Sequence, residues 1–211
     1  TLSSIRIGDS VEQIVAGSGG SPVYMNSRLG GSYMVSYDPD TGTAEEFTAG
    51  TWPIPMEISD DGSRLYVCNA WEGTLSIFQT APERSLLGTV DLTVPPGSTD
   101  RLPDLAIDDA HGFAYVAYPE HHQIDMVNLN TLSSSGTLDI ASLCNEDSDG
   151  GGQGEVRLYV VESHNRLFAF SFHKKLLSVY ETGAAGATLI DTLSFDTPDM
   201  KWQRMNDATS L

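Results

Sequence analysis

The sequence predicts an all-β chain assembled from repeated four-stranded antiparallel units. Short runs rich in Val, Ile, Tyr and Phe end at Gly, Asp, Asn or Ser, as strands bounded by turns do. One phrase returns four times along the chain, and no stretch of helical length sustains a 3.6-residue period.

The repeat is clearest at Ser59-Asp60-Asp61-Gly62-Ser63, followed by Arg64-Leu65-Tyr66-Val67-Cys68-Asn69, a break at Trp71-Glu72-Gly73, and Thr74-Leu75-Ser76-Ile77-Phe78. It returns as Asp108-Asp109-Ala110-His111-Gly112, Phe113 to Ala117 and Ile124 to Asn128. A third copy runs through Glu162-Ser163-His164-Asn165, Arg166 to Phe170 and Leu177 to Tyr180. A weaker, earlier one has Pro22 to Asn26 and Tyr33 to Tyr37. The equivalent aromatics Tyr24, Tyr66, Tyr115 and Phe168 stand 42, 49 and 53 residues apart. Insertions around Pro95 to Arg101 and Asn145 to Gly154 account for the longer intervals. A unit of about 40 residues holding four short strands is the signature of a β-propeller blade.

One blade is written out as strands at Ile54–Ser59, Arg64–Ala70, Thr74–Thr80 and Leu86–Leu92. The first is innermost, and the Asp60-Asp61-Gly62-Ser63 turn supplies the positive-φ glycine of a hairpin. Asp38-Pro39-Asp40-Thr41-Gly42 does the same between the third and outer strands of the earlier blade. The four blades expected are 11–50, 53–92, 102–141 and 155–196, within a single propeller domain. Single strands are left over at 1–8 and 198–206.

Residues 53–92 resemble a repeat of the YVTN β-propeller family of bacterial and archaeal surface and periplasmic proteins. The match rests on Pro55, Ser59 to Ser63, Arg64-Leu65-Tyr66-Val67 with Asn69, and Thr74 to Ile77; Cys68 stands where the motif has threonine. The next blade matches at Pro103, Ala106-Ile107-Asp108 and Tyr115-Val116. The resemblance implies a ring of about seven blades, so these four are expected to belong to a longer, incomplete propeller. The alternative is a small ring closed by pairing Leu2–Ile7 with the C-terminal strand. Relatives of this kind include amine dehydrogenase large subunits, lactonase-like enzymes and binding scaffolds, so the fold alone does not assign a function.

Composition narrows the function classes. With 40% hydrophobic and 19% charged residues, the 211-residue chain can build a sizeable core. Lys+Arg is 11 against Asp+Glu 29, a formal net charge of -18, which repels phosphate backbones and anionic membrane surfaces. Nucleic acid is therefore not an expected partner, and no run reaches the ~18 apolar residues of a membrane-inserted helix. The chain starts at Thr1 with no basic-plus-apolar leader, which fits either a removed leader or a piece of something longer. The acid-rich, Lys-poor composition and the resemblance together suggest an extracytoplasmic setting, periplasmic or secreted. Cys68 and Cys144 lie far apart, and one disulfide or two free thiols both fit them.

Blade geometry sorts the loops by face. Loops joining second to third strands, and outer strands to the next inner ones, open on one rim. There lie Trp52, Trp71, Glu72, Glu120, His121, His122, His173 and Lys174, the candidate surface for a protein partner or small ligand. Glu120 with His121 and His122 offers imidazole and carboxylate donors suited to a transition metal, against the plainer reading of a solvated turn. His173 before Lys174 and Lys175 could position an anion. Trp52 and Trp71 could stack on a sugar or partner, or simply pack. In the acidic insertion, Asn145, Asp147 and Asp149 place oxygen ligands at alternate positions with Gly150 at the sixth, the opening of a calcium loop. The match then degrades: position twelve is Val156, and Glu155 lies one place early. Calcium is the one cofactor indicated, against a flexible acidic loop. GxSxG, Walker, GxGxxG and HExxH signatures are missing. A binding scaffold is the leading function, and an enzyme subunit of the amine-dehydrogenase or lactonase kind the alternative.

Overall fold

The computed structural model describes residues 11–17, 22–26, 33–81, 83–97, 103–144 and 156–195. The expected strands at 1–8 and 198–206, and the loop bearing Asn145, Asp147, Asp149 and Glu155, lie outside these residues.

Among the described residues sixteen strands form four antiparallel sheets, each a meander in chain order. Blade 1 holds β1 (Gln13–Ala16), β2 (Val23–Asn26), β3 (Tyr33–Asp38) and β4 (Thr43–Thr48). Blade 2 holds β5 (Pro53–Ile58), β6 (Arg64–Asn69), β7 (Thr74–Gln79) and β8 (Ser85–Asp91). Blade 3 holds β9 (Asp104–Asp108), β10 (Phe113–Tyr118), β11 (Gln123–Asn128) and β12 (Ser133–Asp139). Blade 4 holds β13 (Val156–Val161), β14 (Arg166–Ser171), β15 (Leu176–Gly183) and β16 (Gly186–Ser194). Among the described residues the only helical turns are short 3-10 pieces at Pro119–His121, Ala141–Leu143 and Glu162–His164.

The hairpin turns follow from their sequence. Asp38 accepts from the Asp40 backbone N–H at 2.9 Å and from the Thr41 hydroxyl at 2.8 Å, and Gly42 takes φ 72° to re-enter β4. Asn128 replays the turn in blade 3, accepting from the backbone N–H groups of Asn130 and Thr131 at 2.9 and 3.0 Å. A register shift between the third and outer strands recurs in blades 2, 3 and 4, where the extra residue increases the local twist.

Side-chain alternation gives each blade two packing faces. In register, Tyr66 stands opposite Glu57 and Ile77, and Tyr115 opposite Ala106 and Met126. Tyr66, Cys68, Leu75 and Ile77 pack forward onto Ala114, Val116, Tyr118 and Val127 of blade 3. Phe113, Tyr115, Ile124 and Met126 pack forward onto Leu158, Leu167, Ala169 and Tyr180 of blade 4. Tyr24 and Met34 meet Met56, Leu65, Val67 and Phe78 between blades 1 and 2. Each such buried side chain contributes about 1.5–3 kcal/mol, so the inter-blade seams are the core.

β1, β5, β9 and β13 are the inner strands, and each packs against the next. Among the described residues no comparable packing joins blade 4 to blade 1. Both cysteines are buried free thiols, which resolves the sequence's two alternatives against a Cys68–Cys144 bridge.

Candidate functional site

The rim carries its most organised structure at the turn between β6 and β7. Glu72 accepts from the backbone N–H and the hydroxyl of Thr51 at 3.0 and 2.6 Å, fastening the crossover from blade 1 to this turn. The Gly97 N–H donates to the Trp71 carbonyl at 2.7 Å, fastening the crossover toward blade 3. The Trp52 and Trp71 rings meet edge to face, 5.6 Å between centroids. Trp71 keeps 44% of its surface exposed although the turn beneath it is tied on both sides. The structure therefore brings together Trp52, Trp71 and Glu72, with Glu72 acting as a brace.

His122 occupies a different role. The residue after each rim turn adopts a left-handed conformation: Gly73 at φ 66°, His122 at 57° and Lys175 at 53°. In each case its carbonyl accepts from a backbone N–H at the end of the outer strand: Leu92, Ile140 and Phe195, all at 2.8 Å. The position demands a backbone shape, and His122 supplies it. His121 lies edge-on to Tyr118, 6.4 Å between centroids, beside the half-buried Glu120. His173 is exposed against Phe172, and Lys174 is exposed next to it. Among the described residues no three His, Cys, Asp or Glu side chains are placed to hold a metal ion, so Glu120, His121, His122 and His173 do not assemble a metal centre.

Residues that sequence reasoning missed brace the same rim. Asp125 is buried and accepts from the Thr93 N–H at 3.2 Å, the Thr93 hydroxyl at 2.5 Å and the Gln123 amide at 3.2 Å. Burial raises its carboxyl pKa, against the lowering effect of those donors. Close by, Cys68 Sγ lies 3.3 Å from the Tyr118 hydroxyl, and burial pushes the thiol up to about 12. That makes Cys68 a packed, unreactive group.

Two clefts open on the opposite face, among the hairpin turns. One, about 270 Å³, is lined by Glu57, Asp60, Ala106, Asp109 and Tyr159 with neighbouring inner-strand residues. Burial and then the nearby Asp104 raise Glu57 to about 7. Asp104 itself accepts from the Leu158 N–H at 2.6 Å and pairs with Arg157 at 3.2 Å. The other cleft, about 480 Å³, lies between blades 1 and 2 beside Arg84. The Arg84 guanidinium sits 3.9 Å from the centre of the Phe47 ring and donates to Ser36 at 2.7 Å. The strand assignments alone gave no hint of these groups, because their partners come from neighbouring blades.

No protein-family model and no curated protein matches the chain. Solved structures do match. A 6-phosphogluconolactonase-like protein of Bacteroides fragilis aligns with TM-score 0.64 and 12% identity, over 87% of this chain and 55% of that one. Kuenenia stuttgartiensis hydrazine synthase aligns at 0.61 and 17%, over 90% and 52%. The WD40 repeats of RRP9 align at 0.62 and 13%, over 88% and 52%. The chain thus spans about half the length of these neighbours. At such identities the likeness concerns the fold, and together with the four meander sheets it makes this chain a β-propeller of four-stranded blades.

Proposed function

We propose that this chain is a YVTN-like propeller working outside the cytoplasm as a protein-interaction scaffold, with the rim around Trp71 as its docking surface. The observation that carries the reading is the exposed Trp71 ring on a turn fastened to both crossovers. A large exposed aromatic on a fastened turn is the usual energetic centre of a protein interface, since little backbone ordering entropy is lost on contact. The Glu72 contacts to Thr51 and the edge-to-face Trp52 ring give a partner a braced surface around Trp71. The net charge of -18 favours a partner of opposite sign and disfavours nucleic acid.

The test is capture from the native extracytoplasmic extract on immobilised protein, followed by affinity measurement with the captured partner. Trp71→Ala is expected to weaken binding by about tenfold or more at unchanged fold. Retention of full affinity in that variant removes the rim from the reading.

An enzymatic reading of the lactonase kind has one observation in its favour. Glu57, raised to about 7, lines a cleft, and a carboxyl poised near neutrality there can act as a general acid or base. Turnover of simple lactones that is lost in Glu57→Gln would support it; a flat progress curve with the unmodified chain rejects it.

A further inference from the structure

The cleft between blades 1 and 2 sorts its polar groups by depth. Tyr24 in its wall is 1% exposed, Ser36 is buried, and the Arg84 side chain keeps 18% of its surface. Each of the three has a donor to spare. Phe47 covers one face of the Arg84 guanidinium, and Ser36 takes one of its N–H groups. Glu45 stands 3.6 Å away, outside hydrogen-bond reach and 71% exposed, so the in-plane fork of the guanidinium is only loosely paired. Ser36 accepts from Arg84, which leaves its own hydroxyl hydrogen to give. The Tyr24 hydroxyl makes no hydrogen bond among the described residues. Burial raises its pKa against the lowering effect of Arg84, so the phenol keeps its proton near neutrality. Toward solvent the same cleft is bordered by carboxylates: Glu45 and Glu83, both exposed, and the half-buried Asp38.

We propose that this cleft binds a small zwitterion, an amino acid with a cationic side chain, its carboxylate on Arg84, Tyr24 and Ser36 and its cationic end between Glu45 and Glu83. The guanidinium fork matches a carboxylate in a bidentate pair, and the Phe47 ring shields one face of it from water. A buried phenol without a partner costs stability that a ligand's acceptor restores. Charge selects between ligand classes. A plain anion meets three carboxylates against one guanidinium, on a chain at -18, and is repelled. A plain cation finds Arg84 in the depth. A ligand with its two charges separated satisfies both ends at once, and about 480 Å³ holds an amino acid of this size with water. The site belongs to the face opposite Trp71, so it is separate from the proposed docking rim.

The test is calorimetric titration of the whole chain with L-arginine, for which saturable binding at one site is expected. L-argininamide lacks the carboxylate and L-citrulline the side-chain charge; each is expected to bind about tenfold more weakly or worse. Tyr24→Phe removes only the unpartnered hydroxyl and is expected to weaken L-arginine by about tenfold. Glu45→Gln removes an exposed charge and is expected to weaken it by about threefold. Circular dichroism is expected to be unchanged in both. No saturable heat with L-arginine, equal affinity for L-argininamide, or full affinity in both variants overturns the proposal. Inorganic phosphate that binds where L-arginine does not would mark a plain anion site and overturns it too. Two variants on different strands keep the test decisive if one of them fails to fold.

Discussion

The Tyr66 hydroxyl donates to the carboxylate of Asp109 across the seam between blades 2 and 3, at 3.4 Å. The other Asp109 oxygen accepts from the Asp60 N–H at 2.8 Å, so one side chain latches a strand and a turn of the preceding blade. One blade on, Glu162 accepts from the Ala110 N–H at 3.0 Å, but the Tyr115 hydroxyl is buried without a partner among the described residues.

That asymmetry sets opposite signs for the same substitution. Tyr66→Phe removes a made hydrogen bond and is expected to cost about 1 kcal/mol, whereas Tyr115→Phe removes an unsatisfied hydroxyl and is expected to be neutral or stabilising. Urea denaturation of the two variants reads the difference, and equal losses would contradict the latch.

Glu57 makes stability depend on pH. Its folded pKa stands at about 7 against 4.5 for an ordinary glutamate, so the folded chain holds the proton more tightly. The stability this contributes is complete below about pH 4.5 and is lost as pH rises to about 7. Glu57→Gln is expected to melt higher than the unmodified chain by a margin worth about 2–3 kcal/mol near pH 8, with the two curves converging in acid. A constant offset across pH would assign the effect to packing instead.

The rim turn makes a backbone prediction. A Cβ on Gly73 would stand 2.7 Å from the Val94 carbonyl oxygen at a φ of +66°, so Gly73→Ala is expected to cost about 2–4 kcal/mol. His122→Gly, at the equivalent place, is expected to cost nothing or to stabilise by up to about 1 kcal/mol, because glycine adopts that conformation freely. Thermal melts of both variants check the pair.

Cys68 should resist alkylation. With its thiol pushed up to about 12 and fully buried, it is expected to stay unlabelled by iodoacetamide near pH 8 until denaturant unfolds the chain. Mass spectrometry of labelled peptides follows it; rapid native labelling would show that the seam between blades 2 and 3 opens.

How far the sequence can be read follows from where each residue's partners lie. Tyr24, Tyr66, Tyr115 and Phe168 announced the blades because their turns and flanking strands are local, within a dozen residues of each. The loop rule likewise put Trp52 and Trp71 on one rim, although not that their rings touch. Asp104, Asp109 and Asp125 were invisible as braces. Each looks like an ordinary strand or turn acid, and its role is set by Leu158, Tyr66 and Thr93, which lie 54, 43 and 32 residues away. Glu57 owes its raised proton affinity first to burial and then to Asp104, which blade 3 brings near it. His122 differs again: the sequence offered it as a rim residue or part of a solvated turn, and what its neighbours do not reveal is the left-handed backbone that it adopts there.

Because every strand pairs with its neighbours in chain order, a blade can form as soon as its roughly 40 residues leave the ribosome. Each completed blade then offers an aromatic forward face to the polypeptide still being made, and covering one face creates the next. Growth is a ratchet that always leaves a single sticky surface at its leading edge. Tyr159, Phe168 and Val179 form the forward row of blade 4, as Glu57, Tyr66 and Ile77 form that of blade 2.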